Sequence, residues 1–171
     1  SAASDVYKRQ SDKLADDYKD EYKKILSMDE DAVWSNSIQL LSICLKQYYG
    51  TKTIILIDEY DVPLEDAYFS GYYDEMVRFI RSLFESALKT NSALEFSVMT
   101  GCLRISKESI FTGLNNLAVN SILSNKYSES FGFVQSEIDE LMEYYNIEEK
   151  SQLMKKWYDG YLFGKSEVYN P

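Results

Sequence analysis

Two rhythms of apolar residues alternate along the chain: a step of three to four positions over long stretches, and short, mostly apolar runs at two places. Together they predict helices flanking a small sheet. Over 12–28 the apolar positions Leu14, Tyr18, Tyr22 and Ile25 follow a helical step on an otherwise charged segment, so one face should be solvated. A stronger helix is expected over 31–49, where Trp34, Ile38, Leu41, Leu45 and Tyr48 share a face and Gly50 supplies the stop. The run Ile54-Ile55-Leu56-Ile57 follows, bounded by Gly50 and Pro63, and reads as a strand buried on both faces of a parallel sheet. Pro63 suits the first turn of a short helix, with Asp61 as its side-chain cap. From 72 to 88 the positions Tyr73, Met76, Val77, Ile80, Leu83, Phe84, Ala87 and Leu88 make a long amphipathic helix that Asn91 should end. The second apolar run, 94–99, closes on Thr100-Gly101. Strand, helix and strand in this order form a βαβ unit, with a right-handed crossover and parallel strands.

Beyond Gly101 the pattern weakens. Residues 103–116 are too polar and too broken for a long helix and read as a loop, and 117–123 offers a third strand interrupted by Asn120 and Ser121. After Phe131-Gly132-Phe133 two short helices are expected, built on Ile138, Leu141, Met142 and Tyr145 and then on Leu153, Met154 and Trp157. A hairpin joining 158–163 to 168–169 across Gly164-Lys165-Ser166 would close the chain.

Composition narrows the chemistry. With 45% apolar residues and 15 Tyr in 171 residues, the chain can bury a sizeable core in one domain or a core with a small appendage. Eighteen basic against 28 acidic residues give a net charge of −10, the wrong sign for a phosphate backbone, so direct nucleic-acid binding is not expected. The chain has no His, which removes Ser-His-Asp, Cys-His and His-metal chemistry and leaves carboxylates, Lys, Arg and hydroxyls. Cys44 and Cys102 lack metal-ligand spacing and read as reduced core thiols of a cytoplasmic protein. No apolar run reaches the ~20 residues of a membrane span. Residues 1–10 lack periodicity, read as a non-native leader and are set aside from the fold.

The first apolar run ends abruptly in Asp58-Glu59-Tyr60-Asp61. In an open α/β sheet the ligand crevice lies outside the carboxyl ends of the strands, so these carboxylates are aimed at it. In phosphoryl transfer an acid there holds Mg²⁺ and a neighbouring acid polarises the attacking water, and Asp58 and Glu59 fit those two roles. Asp61 is weighed between helix capping and a direct metal or substrate role. A phosphate loop of the form G-x-x-x-x-G-K-[ST] is missing before Asp58, and the near-match Gly160 to Ser166 is one residue short between its glycines and is read as a hairpin turn.

The stretch Ile54 to Leu64 resembles the Walker B segment of the AAA-ATPase-like family of P-loop NTPases. Three further stretches agree in order: Thr100-Gly101-Cys102-Leu103-Arg104 with Ile105 to Phe111, then Gly113-Leu114-Asn115-Asn116-Leu117, then Trp157-Tyr158-Asp159-Gly160-Tyr161 with Val168-Tyr169-Asn170-Pro171. The resemblance implies an α/β fold, a P-loop NTPase-type parallel sheet truncated before its Walker A strand, with flanking helices over 11–126 and a helical lid with a C-terminal hairpin over 127–171. It implies ATP and Mg²⁺ as cofactors of the intact protein, with Asp58 on the metal and Glu59 as base. It also implies Thr100 as a sensor-like group near the γ-phosphate, Arg104 as a phosphate contact, and a PD-(D/E)XK nuclease-like domain downstream. In the family's strand order the Walker A strand lies beside the sensor strand, so any strand at 117–123 should be absent, displaced or about two strand spacings, ~10 Å, from 94–99. One departure stands out. The family's first lid helix opens with Thr in a capping box, whereas Val134 stands there, so the cap should shift to Ser136 or be lost at roughly 1 kcal/mol. Two other functions compete with the ATPase: a Mg²⁺-dependent phosphodiesterase using Asp58, Glu59 and Asp61 as a carboxylate cluster, and a non-catalytic scaffold that recognises a partner.

Overall fold

The computed structural model describes residues 11–102, 110–111, 113–114, 117–158 and 160–170. The chain is mixed α/β and forms two compact units, Ser1–Asn116 and Leu117–Pro171.

The first unit begins with α1 (Asp16–Leu26), whose apolar side joins Leu14, Tyr18, Tyr22 and Ile25 to Leu40, Cys44 and Tyr48. It also carries three i,i+3 ion pairs, Asp16–Lys19, Asp20–Lys23 and Glu21–Lys24, which water screens and which add little to stability. A 3₁₀ turn (Trp34–Asn36) leads into α2 (Ser37–Tyr49). The helix is rotated from the expected face: Leu40 and Cys44 are buried while Leu41 is exposed. Apolar neighbours at 40–41 and 44–45 made both faces acceptable to the periodicity. Gly50 ends the helix at φ 75°, with its N–H on the Lys46 carbonyl at 2.8 Å.

Strands β1 (Thr53–Ile57) and β2 (Leu94–Met99) pair in parallel, Ile54 against Phe96 through Ile57 against Met99, with a register shift between Thr53 and Ile54. Between them run α3 (Val62–Ser70), with Pro63 in its first turn, and α4 (Tyr73–Phe84), which widens into a π turn over Glu85–Lys89. The helix expected to run to 88 therefore keeps its α form only to Phe84. Asn91 then fixes the entry to β2, donating to the Ala87 carbonyl at 3.0 Å and accepting from the Ala93 N–H at 2.9 Å. Leu64, Val77, Ile80, Phe84 and Ile110 form the main core, with Ile57, Tyr60, Met99 and Phe111 packed against it.

Burial on both strand faces was expected and is not found among the described residues. Ile55 is buried, whereas Ile54, Leu56, Phe96 and Val98 on the other face are 63%, 74%, 60% and 42% exposed. An apolar, open sheet face of this kind is a ready site of self-association. Replacing Leu56 by Lys should therefore lower concentration-dependent association in sedimentation while shifting stability by no more than ~0.5 kcal/mol. Loss of folding in that variant would show that Leu56 is buried after all.

In the second unit 117–123 forms no strand and no ladder to β2. The interruption at Asn120-Ser121 decides this. The Ser121 and Ser124 hydroxyls accept from the N–H groups of Leu123 at 3.3 Å and Ser121 at 3.1 Å, and the Ser124 N–H closes onto the Ser121 carbonyl at 2.8 Å, making a turn where a strand would need free backbone. Two helices follow, α5 (Gln135–Tyr145) and α6 (Ser151–Tyr158), and Ile138, Met142 and Tyr169 form a small core with Ile147 and Met154. Strands β3 (Tyr161–Phe163) and β4 (Ser166–Val168) make the expected hairpin about Gly164-Lys165, and Phe133 bridges to Tyr169.

The cap of α5 does not move to Ser136. Val134 keeps the N-cap position, and the Glu137 carboxylate accepts its N–H at 2.9 Å, while a valine side chain has no oxygen to return the bond. Val134→Thr should complete the box and raise the stability of this unit by about 0.5–1 kcal/mol, read as the denaturation midpoint at constant m. An unchanged or lower midpoint would mean that the N-terminal turn is satisfied without it.

Candidate functional site

The carboxyl ends of β1 and β2 stay hydrogen-bonded past the strands, as far as Tyr60 on one side and Thr100 on the other. The Thr100 N–H donates to the Ile57 carbonyl at 2.9 Å, and the Tyr60 N–H donates to the Thr100 carbonyl at 3.0 Å. Between these two bonds the Thr100 hydroxyl donates to Asp58 Oδ1. The Glu59 N–H reaches the same oxygen at 3.1 Å. Glu59 itself sits at φ 50°, the left-handed region that a residue with a Cβ rarely occupies. Its backbone turns at the point where the chain leaves the sheet for α3.

Asp58, Glu59 and Thr100 are all exposed, so the sequence expectation that these residues meet at adjacent strand ends corresponds to a solvent-facing cluster. Asp61 differs. It is 4% exposed, and although it occupies the N-cap position of α3, the bonds to Leu64 and Glu65, both 3.0 Å, are accepted by its backbone carbonyl; its side chain does not cap the helix. Its burial also takes it out of the three-carboxylate surface cluster on which the phosphodiesterase reading depended. Arg104, with Lys107, Asn115 and Asn116, lies outside the described residues.

The periodicity gave no warning of how closely Gly101 is packed. A Cβ there would lie 2.6 Å from Tyr60 Cε1 and 2.8 Å from Asp61 Oδ1. The Thr-Gly pair at the end of an apolar run was the available signal, and it reads as a turn before it reads as a close approach. Ile110 is fully buried and Phe111 meets the Tyr60 ring edge-on at 5.2 Å, although both come from a stretch read as a polar loop beside a nucleotide site.

Three other expectations can be placed. The near-match to a phosphate loop, Gly160 to Ser166, lies in the β3–β4 hairpin, where Gly164 turns at φ 58° and a strand follows, so no helix N-terminus is presented to a phosphate. Cys44 is buried, and burial pushes its thiol above the ordinary range, but Cys102 is exposed and is not a core residue. Both are free thiols. No described helix is long and apolar enough to cross a membrane.

A family model described as "Predicted AAA-ATPase" matches residues 2–111, well over half of the chain, including both strands and the Asp58–Thr100 pair. The chain belongs to the AAA-ATPase-like family. The match starts at residue 2, inside the segment set aside as a leader, and stops before the second unit of this AAA-ATPase-like chain. An uncharacterized protein in the vnfD 5′ region of Azotobacter chroococcum mcd 1 is 29% identical over 125 residues, which cover 71% of this chain and 24% of the relative. The chain thus spans about a quarter of the length of the curated relative it matches. No solved structure matches. An ATPase-like family implies nucleotide and Mg²⁺ use in general.

Proposed function

We propose that this AAA-ATPase-like chain carries the Walker B and sensor portion of a P-loop NTPase that hydrolyses ATP. The observation that supports this most is the Thr100 hydroxyl donating to Asp58 at the carboxyl ends of two parallel strands, with Glu59 beside them. The donor set suits Mg²⁺, which keeps most of its waters and takes one or two carboxylates together with substrate phosphates. Thr100 and the Glu59 N–H both bond Asp58 Oδ1 and fix the carboxylate that would hold the ion. Mg²⁺, when bound, would supply neutralisation of the phosphate charge. Glu59 accepts a proton from the attacking water, and Thr100 fixes the Asp58 rotamer and senses the terminal phosphate. Arg104 is a further phosphate contact in this reading. This sequence carries no G-x-x-x-x-G-K-[ST] stretch and its nearest match, Gly160 to Ser166, is a hairpin, so this reading takes the phosphate cradle from elsewhere in a longer protein. The second unit, with α5, α6 and its hairpin, takes the role of the lid, and the free thiols fit a cytoplasmic setting.

In a longer protein of this family that carries a phosphate loop, Asp58→Ala should weaken Mg²⁺-dependent nucleotide binding roughly tenfold or more, the loss of one charge-assisted contact. Titration calorimetry with and without Mg²⁺ reads this. Equal affinities would favour a non-catalytic scaffold.

A further inference from the structure

Gly101 does not need its glycine for backbone freedom. Its φ is outside the left-handed range, unlike Gly50 at 75° and Gly71 at 83°. What it needs is space: the Tyr60 ring and the Asp61 carboxylate already occupy the volume of a Cβ. Tyr60 in turn rests edge-on against Phe111, and Phe111 stacks on Phe84 of the main core at 6.5 Å. A continuous packed line therefore runs from the core to the α-carbon that follows Thr100.

We infer that Gly101 and Tyr60 are positioning residues for the Asp58–Thr100 pair, acting as a latch that presses the end of β2 onto the turn leaving β1. The hydrogen bonds between Ile57, Thr100 and Tyr60 hold the two backbones side by side, and the Gly101–Tyr60 packing keeps the second of them closed. A methyl at 101 must move Tyr60 or Asp61, the two residues that follow Glu59 in the chain. The displacement then opens the bond between the Tyr60 N–H and the Thr100 carbonyl and separates the Thr100 hydroxyl from Asp58. The consequence for Mg²⁺ and nucleotide rests on the function proposed above. The latch itself does not.

The test uses Gly101→Ala in the full chain, with Gly50→Ala as control, because Gly50 has nothing within 4 Å of an added Cβ and pays only for its left-handed φ. Amide hydrogen exchange should be roughly tenfold faster at Thr100 and Tyr60 in Gly101→Ala and unchanged there in Gly50→Ala, even where both variants lose similar overall stability. Exchange at those two amides that stays within twofold of wild type, or that rises equally in the control, overturns the latch. If Gly101→Ala does not fold, Tyr60→Leu, which removes the ring without adding bulk, is read in its place with the same expectation. Mn²⁺–ATP affinity, measured by water-proton relaxation on the same variants within a longer protein that carries this chain and a phosphate loop, should fall roughly tenfold in the latch variant alone. Faster exchange with undiminished affinity would overturn the positioning role, whereas a wild-type longer protein, with its phosphate loop, that showed no Mn²⁺–ATP affinity would count against the proposed function and leave the exchange result to decide the latch.

Discussion

Glu59→Gln is expected to slow ATP turnover by about 100-fold in a longer protein of this family that carries a phosphate loop, with nucleotide affinity nearly unchanged. Glutamine keeps the length and the polar tip of the side chain but cannot take a proton, so binding survives and proton removal from water does not. The geometry makes the split clean. Asp58 is held by the Thr100 hydroxyl and by the Glu59 backbone N–H, which the substitution leaves in place, whereas the exposed Glu59 side chain is free to face a water. The left-handed φ of 50° at Glu59 belongs to the backbone and tolerates Gln as well as Glu. Single-turnover kinetics beside equilibrium binding would separate the two effects. Equal turnover by both proteins would take the base role from Glu59, and a loss confined to affinity would move it to metal or phosphate binding.

Phe84→Ala should destabilise the first unit by about 3–5 kcal/mol, the range for removing a buried aromatic side chain. Phe84 is 3% exposed, belongs to the Leu64, Val77, Ile80 and Ile110 cluster, and stacks on Phe111 with an interplanar angle of 9°. The surrounding side chains come from two helices and from the return of the chain at 110–111, so collapse into the gap would have to move several elements at once. Domain stabilities are commonly 5–15 kcal/mol, and a loss of this size removes a large part of that reserve. At roughly 4–8 °C per kcal/mol for a unit of about 100 residues, the melting temperature should fall by more than 10 °C. A shift below 3 °C would show that Phe111 and Ile110 repack around the cavity or that this cluster is peripheral.

Much of the site was legible because polarity changes abruptly at both strand ends. Ile57 to Asp58 and Met99 to Thr100 each mark the residue where the chain leaves the sheet, and a βαβ unit brings such ends together whatever its helices contain. The bare sheet face was not legible: Ile54 and Leu56 are as apolar as Ile55, and an unbroken apolar run looks the same whether one face or two are covered. The register of α2 was hidden for the same reason, by paired apolar positions. Gly101 and Tyr60 escaped notice because their importance lies in a contact between residues 41 positions apart, and nothing in local spacing reports it. At 117–123 two serine hydroxyls and their backbone bonds outweigh a modest apolar content, a competition that propensity weighs poorly.

The most direct test of the site is where Mn²⁺, presented with ATP, broadens the backbone amide resonances of a longer protein that carries this chain and a phosphate loop. Broadening should begin at Asp58, Glu59 and Thr100 and should vanish there in Asp58→Ala. A second acidic region offers the contrast, the groove in the second unit lined by Asp139, Glu143 and Glu148. Broadening that began in that groove, or that spread equally over the carboxylates of both units while sparing Asp58 and Thr100, would contradict the assignment of the metal–nucleotide site to the ends of β1 and β2.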